Sequence, residues 1–242
     1  MRGILAAAVL LALPGIAAAQ SPAPGSEQNG AVRLLHDVAV DYKNFLSIEN
    51  AEILGVGGAA AGGAHAVDES VSNWVVETNP GTLPGGYEYG SQLLHIPVAI
   101  AWWAIASAAG SSRNAEAGRD LLRAQISVVS WTYGIKVATD RTRPNGDPRG
   151  FPSGHASTSF ATAMVLQEHY GWKLGLPAFL MATYTAASRI GANEHWTSDV
   201  VFGTAVGLAS GRTATLHMRH TRVAVAPFHV PGGGGVLVTA LQ

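Results

Sequence analysis

The chain has 242 residues, enough for one domain with a sizeable core and too few for two large ones. Lys and Arg total 15 against 16 Asp and Glu, so there is no basic excess of the kind a nucleic-acid partner requires. The absence of cysteine excludes disulfides, thiolate metal sites and a cysteine nucleophile, while 29 glycines and abundant alanine point to close-packed helices.

The first residues read as an export signal. Arg2 precedes an apolar run over 4–13, then Pro14-Gly15 and Ala17-Ala18-Ala19-Gln20, an A-x-A cleavage site. Cleavage after Ala19 is expected, which makes 1–19 a signal peptide and directs the mature chain to the periplasm; an uncleaved membrane anchor is the alternative. Residues 20–30, rich in Ser, Pro, Gly and Asn, read as a flexible leader. Residues 31–220 then read as one helical domain and 221–242 as a separate tail.

Within that domain the apolar spacing predicts helices over 31–45, 48–67, 92–109, 115–139, 156–170, 173–190 and 198–217, with a short one over 68–77 and a Pro/Gly loop over 79–86. Glycine costs a helix stability, so Gly57, Gly58, Gly62 and Gly63 imply close helix contact. His65, His95 and the Trp102-Trp103 pair read as packing residues, and Asp68-Glu69 as a solvated helix end. The tail carries two Val-rich runs around a glycine turn, the pattern of a β-hairpin. Residues 91–112 carry no Asp, Glu, Lys or Arg but include His95 and Pro97. The other apolar runs are interrupted early, short of the roughly 20 residues a span needs. The expectation is an all-α bundle free of spans, with a multi-span protein of short Gly/Ala-rich helices as the alternative.

Three patterns carry chemistry. Lys136 and Arg143-Pro144 form K-x6-R-P; Pro144 disfavours helix at Arg143, so the arginine leaves the helix axis. A guanidinium fork and an ammonium there suit phosphate oxygens. Arg141 and Arg149 nearby read as a solvated basic loop. Pro152-Ser153-Gly154-His155 precedes a helix, where Ser153 can cap and free N–H groups can bind an anion, with Gly154 allowing close approach. Ser188-Arg189, His195 and Asp199 form S-R-x5-H-x3-D, and a carboxylate on one imidazole nitrogen leaves the other free to attack. Together these supply three cations, two histidines and a carboxylate, the inventory of a metal-free phosphoryl-transfer site.

With these motifs in this order, the sequence resembles the type 2 phosphatidic acid phosphatase superfamily, which includes bacterial class A acid phosphatases, membrane lipid phosphatases and vanadium haloperoxidases. The resemblance covers Lys136 to Asp199 by motif and implies an all-α helical bundle. It also implies roles: His195 as nucleophile forming a phosphohistidine, Asp199 orienting it, and His155 as acid then base. Lys136, Arg143, Ser153, Gly154 and Arg189 would hold the phosphoryl oxygens. A metal-independent phosphomonoesterase without a cofactor is therefore expected, acting on lipid phosphates or small esters and in contact with a membrane if the substrate is lipid. The alternatives are vanadate bound at His195 with halide oxidation, and a non-catalytic helical membrane protein.

Overall fold

The computed structural model describes residues 26–78, 83–218, 222–230 and 233–241. The expected signal peptide over 1–19 lies outside the described residues. In chain order the helices are α1 (Ser26–Phe45), α2 (Ile48–His65), α3 (Asp68–Thr78), α4 (Gly86–Gly90), α5 (Gln92–Ala108), α6 (Ser112–Thr139), α7 (Gly154–Tyr170), α8 (Trp172–Gly191) and α9 (Thr197–Ala214). α1 begins at Ser26, inside the stretch read as leader, and the five-residue α4 was not expected. Arg222–Val230 and Gly233–Leu241 pair as antiparallel strands β1 and β2, with Arg222 opposite Leu241.

α7 is the central helix, packed by α8, α9 and α6, while α5 lies on α6 and α2 on α9. The core consists of small side chains: Ala99, Ala124, Val128, Ala161, Ala163, Val165, Ala182 and Val206 are at most 1% exposed. Each alanine buries little apolar area, so this core gains from tight backbone approach more than from bulky payload. The α7–α9 contact shows how. Gly203, Gly207 and Gly211 recur every fourth residue on α9. A Cβ at Gly203 would fall 2.6 Å from the Ser153 carbonyl oxygen, one at Gly211 2.6 Å from that of Ala161, and one at Gly207 would overlap that of Ser157. The glycine stripe therefore lets α9 lie against the α7 backbone. It brings the start of α9 beside the start of α7, where Ser153 N–H donates to the Asp199 carbonyl at 2.9 Å.

The glycines singled out in α2 behave unequally. A Cβ at Gly57 would overlap Ala205, whereas Gly62 and Gly63 face open space. Trp102 and Trp103 pack against the core as expected. His95 is buried, edge-on to Tyr89 at 5.2 Å and within 2.9 Å of the Thr162 hydroxyl. His65 is a correction: its side chain is 69% exposed, with Nδ1 2.9 Å from the Asp68 carboxylate. Among the described residues no helix is long and apolar enough to cross a membrane. Apolar side chains nevertheless reach the surface, Leu93 at 82% exposure and Leu180 at 61% being examples.

Candidate active site

Five pieces of chain meet at one end of the bundle. α6 delivers Lys136 in its last turn and stops at Asp140, which adopts a left-handed conformation with φ 42°. The loop that follows is closed by its own backbone: Arg143 N–H donates to the Asp147 carbonyl (2.8 Å), and Gly150 N–H to that of Arg141 (2.6 Å). Lys136 Nζ donates to the carbonyls of Arg149 (2.6 Å) and Gly150 (3.2 Å), which pins the ammonium beneath the loop. α7 starts at Gly154, two residues earlier than expected, and brings His155 in its first turn. α8 ends with Arg189, and α9 begins after His195 with Asp199 at its third position.

A cavity of about 450 Å³ is lined by Lys136, Arg143, Gly154, His155 and His195, with Tyr87, Leu93 and Tyr133 on its other walls. The three remaining predicted residues stand behind that lining. Ser153 is fully buried at the N-cap position, but its hydroxyl caps nothing. Arg189 is 4% exposed with its guanidinium 5.2 Å from the Tyr87 ring, which also lies 4.8 Å from His155. Asp199 is fully buried behind His195. The buried atoms Nε of Arg143, Nε of Arg189, Oγ of Ser153, Oγ1 of Thr132 and Nε2 of His155 have no hydrogen-bond partner among the described residues. Buried polar groups are rarely left so, and a cluster of them marks a place built for a polar ligand. Donors of this kind suit an oxyanion.

The electrostatics follow from burial among cations. His155 is pushed down to about 3 by desolvation, then by the charges of Arg189, His195, Arg143 and Lys136. Lys136 is lowered to about 8, by desolvation first and Arg143 second. His195 is lowered by desolvation, partly opposed by Asp199, whose Oδ2 lies 3.5 Å from Nδ1. With Nδ1 turned to that carboxylate, Nε2 is the nitrogen left for chemistry at the cavity. A separation of 3.5 Å is loose for a hydrogen bond, as catalytic pairs without ligand often are.

Sequence reasoning missed four contributors. Glu194 bridges two of the cations, 2.8 Å from Arg143 and 3.7 Å from Arg189. Its only sequence signal was adjacency to His195. Arg141, expected in solvent, donates to Asp199 Oδ1 and to Asp68 Oδ2, at 2.7 and 2.8 Å. Asp68, also expected in solvent, is 2% exposed and accepts from the backbone and side chain of Ser198. Tyr87 comes from α4, a helix too short for any periodicity. Glu69 and Arg149 are exposed as expected, although Arg149 reaches the cavity mouth.

Fold and cavity together define an all-α protein with a cation-lined cavity. Residues 118–223, the stretch that holds every motif residue named above, match the PAP2 superfamily, the type 2 phosphatidic acid phosphatases that the sequence resembles. It is 34% identical over 98 residues, 39% of its length, to a lipid A 1-phosphatase of Porphyromonas gingivalis. It is 40% identical over 58 residues, 24% of its length, to a lipid A 4'-phosphatase of Helicobacter pylori. The matched segments span 21% and 29% of those two relatives, well under two thirds of either. Among solved structures, a transmembrane PAP2-type phosphatidylglycerolphosphate phosphatase from Bacillus subtilis superposes with a TM-score of 0.56 at 17% identity, over 70% of this chain and 94% of that one. LpxE of Aquifex aeolicus gives 0.51 at 20% identity, over 62% and 95%. These likenesses bear on the fold.

Proposed function

We propose that this protein is a lipid phosphate phosphatase that cleaves phosphate monoesters through a phosphohistidine, without a metal. The observation that carries the reading is the convergence of Lys136, Arg143, His155 and His195 on one cavity, with Arg189 and Asp199 directly behind them. In the proposed reaction His195 Nε2 attacks phosphorus in line with the ester oxygen. The P–O ester bond breaks, and the leaving alkoxide takes a proton from His155. His155 then accepts a proton from water, whose oxygen attacks the phosphohistidine, releasing phosphate and restoring His195. Lys136, Arg143 and Arg189 match the negative charge spread over the equatorial oxygens, the work a metal ion does in other sites.

Several features support a lipid ester over a small soluble one. The matched relatives are lipid A phosphatases by name. The cavity is also lined by Leu93, Tyr87 and Tyr133, all exposed. Apolar contact with an acyl or polyprenyl tail suits such a rim, and it puts the working protein at a membrane surface. Export by the N-terminal signal and a periplasmic location belong to the same proposal.

The test is phosphate release by purified protein in excess EDTA, from phosphatidate in mixed micelles and from an aryl phosphate, with His195→Ala as control. Release from the lipid, lost in the control, is expected. Activity that requires added metal, or that survives in His195→Ala, sinks the reading.

A further inference from the structure

Behind the candidate nucleophile lies a polar layer that the reaction above does not use. Asp199 Oδ2 accepts from the Trp196 backbone N–H at 3.0 Å and faces His195. Its other oxygen accepts from Arg141 at 2.7 Å, and the same guanidinium donates to the Ser198 hydroxyl at 2.7 Å and to Asp68 at 2.8 Å. Asp68 also accepts from Ser198 N–H (2.9 Å) and Ser198 Oγ (2.5 Å), with His65 Nδ1 2.9 Å away. The Trp196 indole sits 5.7 Å from the guanidinium and ties itself to the loop through the Thr142 carbonyl at 2.7 Å. One partly exposed arginine is thus shared between two buried carboxylates from different ends of the sequence.

We infer that Arg141 and Asp68 are positioning residues that fix Asp199 and set how much of its charge His195 feels. The inference rests on the phosphohistidine reading and deepens it. Held by Arg141 on Oδ1, the Asp199 carboxylate cannot rotate, so Oδ2 stays toward the imidazole. The guanidinium also divides its charge. What it gives to Asp199 weakens the carboxylate's hold on an imidazolium proton, and what it gives to Asp68 is withheld from Asp199. The other charged groups facing His195 are Lys136 from α6, Arg143 from the following loop and His155 from α7. Arg189 and Glu194 stand further off, Glu194 bridging Arg143 and Arg189, and Arg189 beside His155. None of these contacts Arg141, which makes its effect separable.

His195 must be neutral to attack, so its protonation sets an acid limb in kcat/KM. In Arg141→Gln the pull of Asp199 on the proton strengthens, and that limb moves to higher pH. In Asp68→Asn the guanidinium leans wholly on Asp199, and the limb moves to lower pH. Arg141→Lys keeps the charge and holds the limb in place. Misplacing the carboxylate lowers kcat in Arg141→Gln on the order of a hundredfold, while KM stays within about twofold because Arg141 does not line the cavity.

The experiment measures pH profiles of lipid phosphate hydrolysis for the wild type and these three variants, with thermal melts to confirm folding and His195→Ala alongside. Opposite movements of the limb in Arg141→Gln and Asp68→Asn support the clamp; if Arg141→Gln fails to fold, the downward shift in Asp68→Asn decides alone. A limb fixed in both, or a raised KM with kcat intact, overturns it. Activity retained in His195→Ala overturns the underlying reading and the clamp with it, which distinguishes the two failures.

Discussion

Binding of a doubly charged oxyanion should draw a proton onto His155. Without ligand that imidazole is held near 3 by burial and surrounding cations, so it is neutral at pH 5. A unit negative charge about 4 Å away, at an effective dielectric of about 20, stabilises the imidazolium by about 4 kcal/mol, or roughly three pKa units. One net unit of the dianion's charge therefore lifts His155 from about 3 to about 6. At pH 5 the protonated fraction rises from about 1% to about 90%, so binding takes up about 0.9 proton. Sulfate is the right probe, because it stays dianionic while phosphate itself titrates. Lys136, lowered only to about 8, is already charged at pH 5 and adds nothing. Calorimetry in two buffers of different ionisation enthalpy counts the protons. Wild type should show the uptake and His155→Gln should lose most of it. Equal uptake in both, or none in the wild type, refutes the assignment of His155 as the group that arms itself as a general acid when its anion arrives.

Other outcomes follow from the same geometry. Lys136 loses its charge as pH rises through about 8, so KM for the phosphate ester should climb above that pH, and Lys136→Arg should carry the climb to higher pH; identical profiles would count against Lys136 as a phosphate ligand. His95 is buried neutral with its pKa lowered to about 4, below its unfolded value, so protonation favours the unfolded chain. About 3 kcal/mol of stability should fade as pH falls from about 6.5 to about 4, and urea melts of His95→Gln should show a weaker pH dependence. Gly207→Ala forces a methyl group into the α7 backbone and should cost about 1–3 kcal/mol, whereas Gly62→Ala, which meets nothing, should gain about 0.5–1 kcal/mol; similar effects at both would mean the glycine stripe is not what joins α7 to α9.

The helices were legible because their apolar spacing and Pro/Gly punctuation are local. The long elements agree with expectation to within a few residues at their ends. α4 was not, since five residues give no period. The α9 glycines were passed over in favour of those of α2, because sequence shows a glycine but not the backbone it faces; Gly207 and Gly62 look alike until α7 is in place. The motif residues converge because each sits at a helix end or in the loop joining two, and the helix ends share one pole of the bundle. Arg141 and Asp68 were misread for a physical reason. Charged residues flanking a helix are solvated by default, and only the long-range approach of α3 to the start of α9 turns Asp68 into a buried acceptor. Glu194 was invisible for the same reason, since the cations it bridges lie on separate pieces of chain.

The most direct test of the account is to look for the phosphoenzyme itself. Protein quenched in alkali within milliseconds of mixing with a lipid phosphate should carry one acid-labile, alkali-stable phosphoryl group, and peptide mass spectrometry should place it on His195. The label should be absent from His195→Ala. A phosphoryl group on another residue, or phosphate released during a burst with His195 unmodified at every time point, would contradict the central claim.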